Sequence, residues 1–445
     1  MGHSRSTTLT LNRENGVETP SYYKATGSYP WQNPSINGIL YFAMLTDKYG
    51  SNLNVRADYS YGQSNNNTTH DFDGEIIPDD NRSLSEVFRA KANYKLKRNS
   101  FSLDFGYQIY GIRLNDRRDY NFERDDFRNH DVLNSVFAQL DWTCSNTVSV
   151  SGGLRMEHTH NTIEQRSTSE HFTRNYVNWV PNASVSFTLP QGRFIAVNFS
   201  PFLVRPYYSQ MNPYKKWSSE NAYRVGNPNL KTYVSWDGNI YAQLFPGFTV
   251  NFNISISDDS YCMYTINDGE GNAVSSYANE GRDERYSLGF GYSKTLFGIW
   301  TLNAHMYGAY RNRKAIIDTQ DLGFEDWSGS FSLSNNVLIS RTYGLYGQVS
   351  YSIHTPTTLI SEKNSWKSFL GCSISKTFDF GLDIDFTVFS PIGSMAKSYS
   401  NPEFSYHKRM RDSPVGFYLS LSYKFGKKTV KKTQNIGSSG DMRKG

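Results

Sequence analysis

Segments of about ten residues along this chain alternate between apolar and polar side chains, and they come in pairs. The joint within a pair is very short. The joint between pairs is long, polar and rich in Asn, Asp, Arg and Tyr. Side chains on a strand alternate faces with period two, so each segment carries one greasy face and one wet face. In the last segment Val415, Phe417, Leu419, Leu421, Tyr423 and Phe425 share one face, against Gly416, Tyr418, Ser420, Ser422, Lys424 and Gly426. Phe248, Val250, Phe252, Ile254 and Ile256 oppose Thr249, Asn251, Asn253, Ser255 and Ser257 in the same way. Paired alternating strands with alternately short and long joints predict an all-β fold. The expected form is a transmembrane antiparallel up-and-down β-barrel, with short periplasmic turns and long extracellular loops.

A soluble sandwich also alternates. Two features favour the barrel. The segments run to about 10–12 residues, the length of a tilted span across hydrocarbon, whereas soluble strands centre on about 5–6. Aromatic residues also gather at segment ends, as at Tyr59, Tyr61, Trp142, Trp300, Trp366, Tyr423 and Phe425, where aromatic girdles meet the membrane interfaces. Composition agrees: hydrophobic content is 38% and mean hydropathy −0.60, yet 15% of residues are aromatic. No run approaches the roughly 18 apolar residues of a spanning helix. In a barrel wall only every second residue meets lipid, so low hydropathy is compatible with life in a membrane.

Net charge is +5, spread over loops and wet faces. No basic cluster with interleaved aromatics lies on one element, which argues against nucleic acid as a partner. Cys144 falls in a short joint, Cys262 in a long one and Cys372 on an apolar face, so no disulfide framework or CxxC metal pair is expected. The expected organisation is a barrel over residues 1–426 and a disordered basic periplasmic tail over 427–445, which opens with Lys427, Lys428, Lys431 and Lys432.

Short turns are expected near 46–51, 97–100, 143–146, 190–192, 245–247, 297–298, 340–342 and 379–380. Long loops are expected near 14–35, 62–84, 112–131, 158–175, 204–231, 258–284, 311–326, 355–365 and 391–413. These joints imply about 18 strands if residues 6–13 form the first, and seventeen from Ile36 onward. The start MGHSRSTTLT has no apolar core of a signal peptide. A barrel needs export, so the expectation is that the chain lacks the start of its precursor.

Two stretches carry a family resemblance. The first runs from Pro201-Phe202-Leu203-Val204-Arg205-Pro206-Tyr207-Tyr208 through Met211-Asn212-Pro213-Tyr214 to Gly226-Asn227-Pro228-Asn229-Leu230-Lys231. The second is the closing Leu419-Ser420-Leu421-Ser422-Tyr423-Lys424-Phe425-Gly426-Lys427-Lys428. Both resemble the barrels of TonB-dependent receptors, especially the Bacteroidota outer-membrane β-barrel family. In that family the Gly-Asn-Pro-Asn-Leu-Lys element usually continues as Pro-Glu; here Thr232 and Tyr233 follow. The resemblance implies the cell outer membrane and uptake of a nutrient or other extracellular ligand. It also implies a plug domain and an energy-coupling protein in the full-length form, and a barrel of about 22 strands. The alternative is a plugless passive channel or structural barrel. In either case outer-membrane lipid surrounds the wall.

Few residues invite a chemical role. His158 and His160 share a face with Val150, Leu154 and Met156. That is the lipid side, so lipid headgroups at the rim suit the pair better than a metal. Asp71, Asp73, Asp79, Asp80, the run Asp116-Arg117-Arg118-Asp119, Asp125 and Asp126 read best as solvated loop charges. No nucleophile stands at a recognisable spacing from a base, so the chain is expected to be neither an enzyme nor the holder of a cofactor or metal. Loop aromatics are the candidate ligand contacts: Trp31, Tyr207, Tyr208, Tyr214, Trp217 and Tyr223, with Tyr22, Tyr23 and Tyr29 nearby. Aromatic faces stack on flat or greasy ligands; packing of loop on loop is the competing reading. The Asn-Pro and Gly-Asn-Pro steps fix backbone angles, and Gly226 can take positive φ.

Overall fold

The computed structural model describes residues 2–14, 17–29, 34–72, 74–120, 123–219, 222–317, 320–359, 362–392, 395–400, 405–410 and 415–425. From Ser35 on, the wall strands are β1 (Ser35–Leu45), β2 (Asn52–Phe72), β3 (Glu75–Lys97), β4 (Phe101–Tyr120), β5 (Glu123–Thr143) and β6 (Val148–Gln165). They continue as β7 (Glu170–Leu189), β8 (Arg193–Phe199), β9 (Tyr233–Phe245), β10 (Phe248–Asn267), β11 (Ala273–Leu296) and β12 (Trp300–Ile317). The wall ends with β13 (Phe324–Ser340), β14 (Leu345–His354), β15 (Lys367–Thr377), β16 (Leu382–Ile392) and β17 (Gly416–Tyr423). Each pairs antiparallel with the next. This is the up-and-down order that the short and long joints predict. All eight short turns fall where expected, including the Pro190–Gly192 turn of 3-10 form. Among the described residues no helix is long and apolar enough to cross a membrane.

The two faces separate as the alternation requires. On β5, Val136, Leu140 and Trp142 point outward and are exposed, as are Leu154 on β6 and Val177 and Trp179 on β7. The intervening residues carry the polar network: Asn239 of β9 donates to Asn253 of β10 at 2.7 Å, and Asn253 donates to Ser287 of β11 at 3.3 Å. Away from the two end strands, where Ile39, Tyr41 and Tyr418 are exposed on the opposite face as well, the exposed apolar side chains gather mainly on one face of a closely paired sheet, which is a lipid-facing wall.

Three expectations change. Residues 6–13 do lie in a strand, Gly2–Glu14, but it pairs with Val17–Tyr29, within a segment expected to be loop. The second strand of that hairpin runs beside β2 at Asn67–Phe72, in line with β1. Most segments expected as loops at 62–84, 112–131, 158–175 and 258–284 are instead continued hairpin. β3 and β11 reach 23 and 24 residues, about twice what a span needs. Outside hydrocarbon, paired backbone no longer requires apolar alternation, so polar Asn- and Thr-containing sequence stays in the ladder without displaying a strand signature. Cys262 accordingly lies in β10 and is buried; Cys144 and Cys372 are exposed, and all three are free thiols.

β1 and β17 stand at the ends of the wall. Among the described residues β17 pairs only with β16, and β1 only with β2. Every residue of β1 and nearly every residue of β17 is exposed. The expected tail at 427–445 lies outside the described residues.

Candidate ligand-facing mouth

The long connection between β8 and β9 does not continue the two wall strands upward as a hairpin. It leaves β8 through a short strand, Phe202–Val204, that still pairs with β9. At Arg205-Pro206 it turns inward. Tyr208–Met211 form a single helical turn, with the backbone N–H of Tyr207 donating to Gln210 Oε1 at 2.8 Å. Tyr208, Met211 and Leu230 then bury against Tyr110 and Ile112 of β4, Phe127 and Leu133 of β5 and Ile163 of β6. The apolar residues on the inner face of these strands above the membrane thus find their partner in this loop.

The Gly-Asn-Pro-Asn-Leu element closes the turn. Gly226 N donates to Asn212 O at 2.9 Å and Asn227 N to Gln210 O at 2.7 Å. A Cβ on Gly226 would lie 2.3 Å from Asn212 O. Close approach of two backbone segments therefore demands glycine here. Gly226 does not use the positive φ open to glycine; it is not among the described glycines with positive φ. Asn227 also donates through Nδ2 to Tyr277 O at 2.8 Å and accepts from Asn229 N at 2.8 Å.

Polar side chains from the wall clamp both ends of the loop. Tyr261 of β10 bonds Val204 O and Lys231 O, each at 3.0 Å. Arg174 of β7 donates to Leu230 O, and Tyr176 bonds Thr232 at 2.7 Å. Arg205 pairs with Glu157 of β6, which also accepts from Arg155 at 2.7 Å and is 1% exposed. A carboxylate so deeply placed persists only with compensating partners.

A second charged layer lies higher, in the extracellular extensions of β2–β5. Arg118 donates through Nε and Nη2 to Asp79, which His70 Nε2 contacts at 2.9 Å. Burial pushes the Asp79 carboxyl up, but Arg118 and His70 outweigh it and hold the group at about 2. Asp116 goes the other way: burial, with Asp125 beside it, raises it to about 6 against the pull of Arg118 and Lys216. Asp79, Arg118 and Asp125 are all buried, not solvated loop charges as expected. A hairpin extension turns every second residue inward, where the mouth loop covers it.

The candidate aromatics divide. Trp31 lies outside the described residues. Tyr208 and Tyr223 are buried, 4% and 6% exposed. Tyr214 sits over the Arg118 guanidinium, 5.3 Å from it. Trp217 packs on Tyr223 with ring centroids 4.8 Å apart, and the Tyr223 hydroxyl donates to Asp268 at 3.3 Å. Tyr207 stays open, 49% exposed. The anchors Arg174 and Glu157 carried no signal beyond their place on an inward face, whereas Arg205 stands in the stretch that carries the family resemblance. Among the described residues no cluster of three or more metal-ligating side chains occurs.

The model of the outer membrane protein beta-barrel family matches residues 45–429. The chain belongs to that family. It is a protein of the outer membrane. Solved structures of similar fold include the copper transporter OprC, at 11% identity and TM-score 0.61, covering 89% of this chain and 70% of that one. The siderophore receptor PiuA from Acinetobacter baumannii aligns at 10% identity and TM-score 0.61, covering 95% and 72%. The ferric yersiniabactin uptake receptor FyuA from Yersinia pestis aligns at 10% identity and TM-score 0.52, covering 91% and 72%. At such identities the likeness speaks for fold alone. No curated protein matches the chain.

Proposed function

We propose that this barrel is the wall of a TonB-dependent receptor-like importer that takes up a nutrient or other extracellular ligand. In the complete receptor a plug domain and an energy-coupling protein act with it. The observation that carries this reading is the mouth loop. A passive pore needs an open lumen. Here the described residues of 204–231 are anchored across the inner face of β4–β7 by the Arg205–Glu157 ion pair, side-chain hydrogen bonds to the backbone and an apolar cluster. Such a fixed cover narrows the entrance and presents side chains to what passes it. Tyr207, Tyr214 and Trp217 offer ring faces for stacking, while Tyr208 and Tyr223 hold the loop in place.

The test compares a strain lacking the gene with one complemented by the full-length receptor. Uptake of labelled ferric siderophores and copper complexes, the cargo classes named for the structural neighbours, is measured with and without a protonophore. Saturable uptake that needs both the gene and the proton gradient supports import. Gene-dependent flux that is linear in concentration and indifferent to the protonophore favours a passive channel and overturns the proposal.

A further inference from the structure

The outer rim of β4–β6 bears a cleft of about 330 Å³ whose outward lining is Arg113, Asn115, Arg128, His130, Thr162 and Glu164, with the inward-facing Asn129 at its back. We propose that this cleft binds the phosphate headgroup of an outer-leaflet lipid. The outward side chains lie on the lipid side of the wall, not in the mouth, and the import reading makes no use of them.

The register places the groups together. Arg113 of β4 is opposite His130 of β5, and Asn115 is opposite Arg128. His130 is in turn opposite Thr162 of β6, and His160 is opposite Val132. Directly opposed residues on one face sit about 4.5–5.5 Å apart at Cβ, so two guanidinium groups and two imidazoles converge on one patch across three strands. His160 Nδ1 is set by Asn175 at 2.7 Å.

The height of the patch identifies its ligand. On β5 the outward residues run Trp142, Leu140, Ala138, Val136, Asn134 and Val132, then His130 and Arg128. On β4 they run Phe101, Leu103, Phe105, Tyr107 and Ile109, then Gly111 and Arg113. From Trp142 to Val132 is about 33 Å of strand at 3.3 Å per residue, which, tilted, fills an apolar band of about 25 Å. On β4 and β5, Arg113, His130 and Arg128 are thus the first charged or imidazole outward groups above this band, and on β6 His158 and His160, opposite Asn134 and Val132, mark its upper edge, where headgroup phosphates lie. The acids near the arginines are held loosely: Arg113 is 3.7 Å from Glu86 and Arg128 3.6 Å from Asp126, beyond hydrogen-bond range, while Glu164, opposite Arg128, has Arg166 3.8 Å away to offset its charge. The arginine N–H groups can therefore meet a phosphate, and guanidinium matches phosphate in charge and in bidentate geometry.

The experiment uses the protein purified from outer membranes, delipidated in detergent and loaded with diphosphorylated lipid A or with its dephosphorylated form. Retained lipid is counted by native mass spectrometry. The phosphorylated form should be retained, and R113Q/R128Q should lower retention at least roughly fivefold, as expected for loss of charge-assisted bonds. R113K/R128K should keep most of it, and Lys314→Gln, elsewhere on the wall, should change nothing. Heat-modifiable mobility checks that each variant is folded. Equal retention of both lipid forms, or of wild type and R113Q/R128Q, overturns the proposal. Displacement of the lipid by millimolar inorganic phosphate also overturns it, in favour of a free-anion site.

Discussion

Arg205, the first charged residue of the mouth loop, reaches back to Glu157 on β6, and the two form a buried ion pair. Arg155 supports Glu157 from its own strand. Removing one partner of such a pair strands a charge in a place without water, a cost of about 3–5 kcal/mol. Arg205→Ala should therefore release the loop and speed proteolysis within 201–231. The double change Glu157→Gln with Arg205→Met should restore much of the protection. Equal damage from the single and the double variants would show that the pair does not anchor the loop.

The outward face of β10 sets a second expectation. Ile254→Arg should destabilise the folded protein in liposomes by about 2–4 kcal/mol, the range for arginine near mid-bilayer. Ser255→Asn, one residue away on the inner face, should cost under about 1 kcal/mol. Urea titration of the reconstituted protein measures both. Similar losses at the two positions would contradict the assignment of faces.

Loop anchoring should depend on pH with a maximum near pH 4, at about the ordinary carboxylate value. Asp79, held at about 2, contributes stability that is complete above its ordinary value of about 3.9 and is lost as pH falls toward 2. Asp116, raised to about 6, acts in the opposite sense. The folded state binds its proton more tightly, so stability declines as pH rises from about 4 to 6. Hydrogen exchange in 201–231, corrected for intrinsic rate, should thus be slower at pH 4.5 than at pH 7.5. Asp116→Asn should abolish that difference. A wild-type loop equally protected at both values would refute the coupling.

Cysteine labelling tests the sidedness. In a Cys-free background, Asn66→Cys and Asn272→Cys should react with an impermeant maleimide on intact cells, and Gln191→Cys should not. Reaction at 191 alone would invert the topology.

The wall ends make a fifth expectation. β1 and β17 both run toward the short-turn side, so joining them directly needs a parallel pair. Antiparallel closure needs an odd number of further strands between them. Unpaired edges in lipid cost several kcal/mol for each backbone group. Residues 34–425 alone, inserted in a planar bilayer, should give erratic openings. Large steady conductance steps from that segment would mean that the two edges meet directly.

The part of the chain that touches lipid was legible because solvent dictates it. A residue facing hydrocarbon must be apolar and its neighbour on the strand faces water, so period two is written into Phe248–Ser257 and Val415–Phe425. Short joints were legible for a related reason: a tight turn admits few residue types, as at Pro190-Gln191-Gly192. Above the membrane that constraint lapses. β3 and β11 continue as paired backbone through polar sequence that carries no strand period, and Asp79, Arg118 and Asp125 looked like solvated charges. Whether a charge is buried there depends on what covers it, and the cover comes from residues far away in sequence. Gly226 shows the same limit. Its importance could be read from the motif, but the cause is the Asn212 carbonyl beside it, not its own φ. The sequence by itself thus determined the wall, its faces and its turns, since these follow from local contact with lipid and water. Only the tertiary structure decided that the loop after Arg205 folds into the mouth. That choice depends on Tyr110, Phe127 and Ile163, three strands brought side by side by pairing, presenting an apolar patch that only another part of the chain could bury.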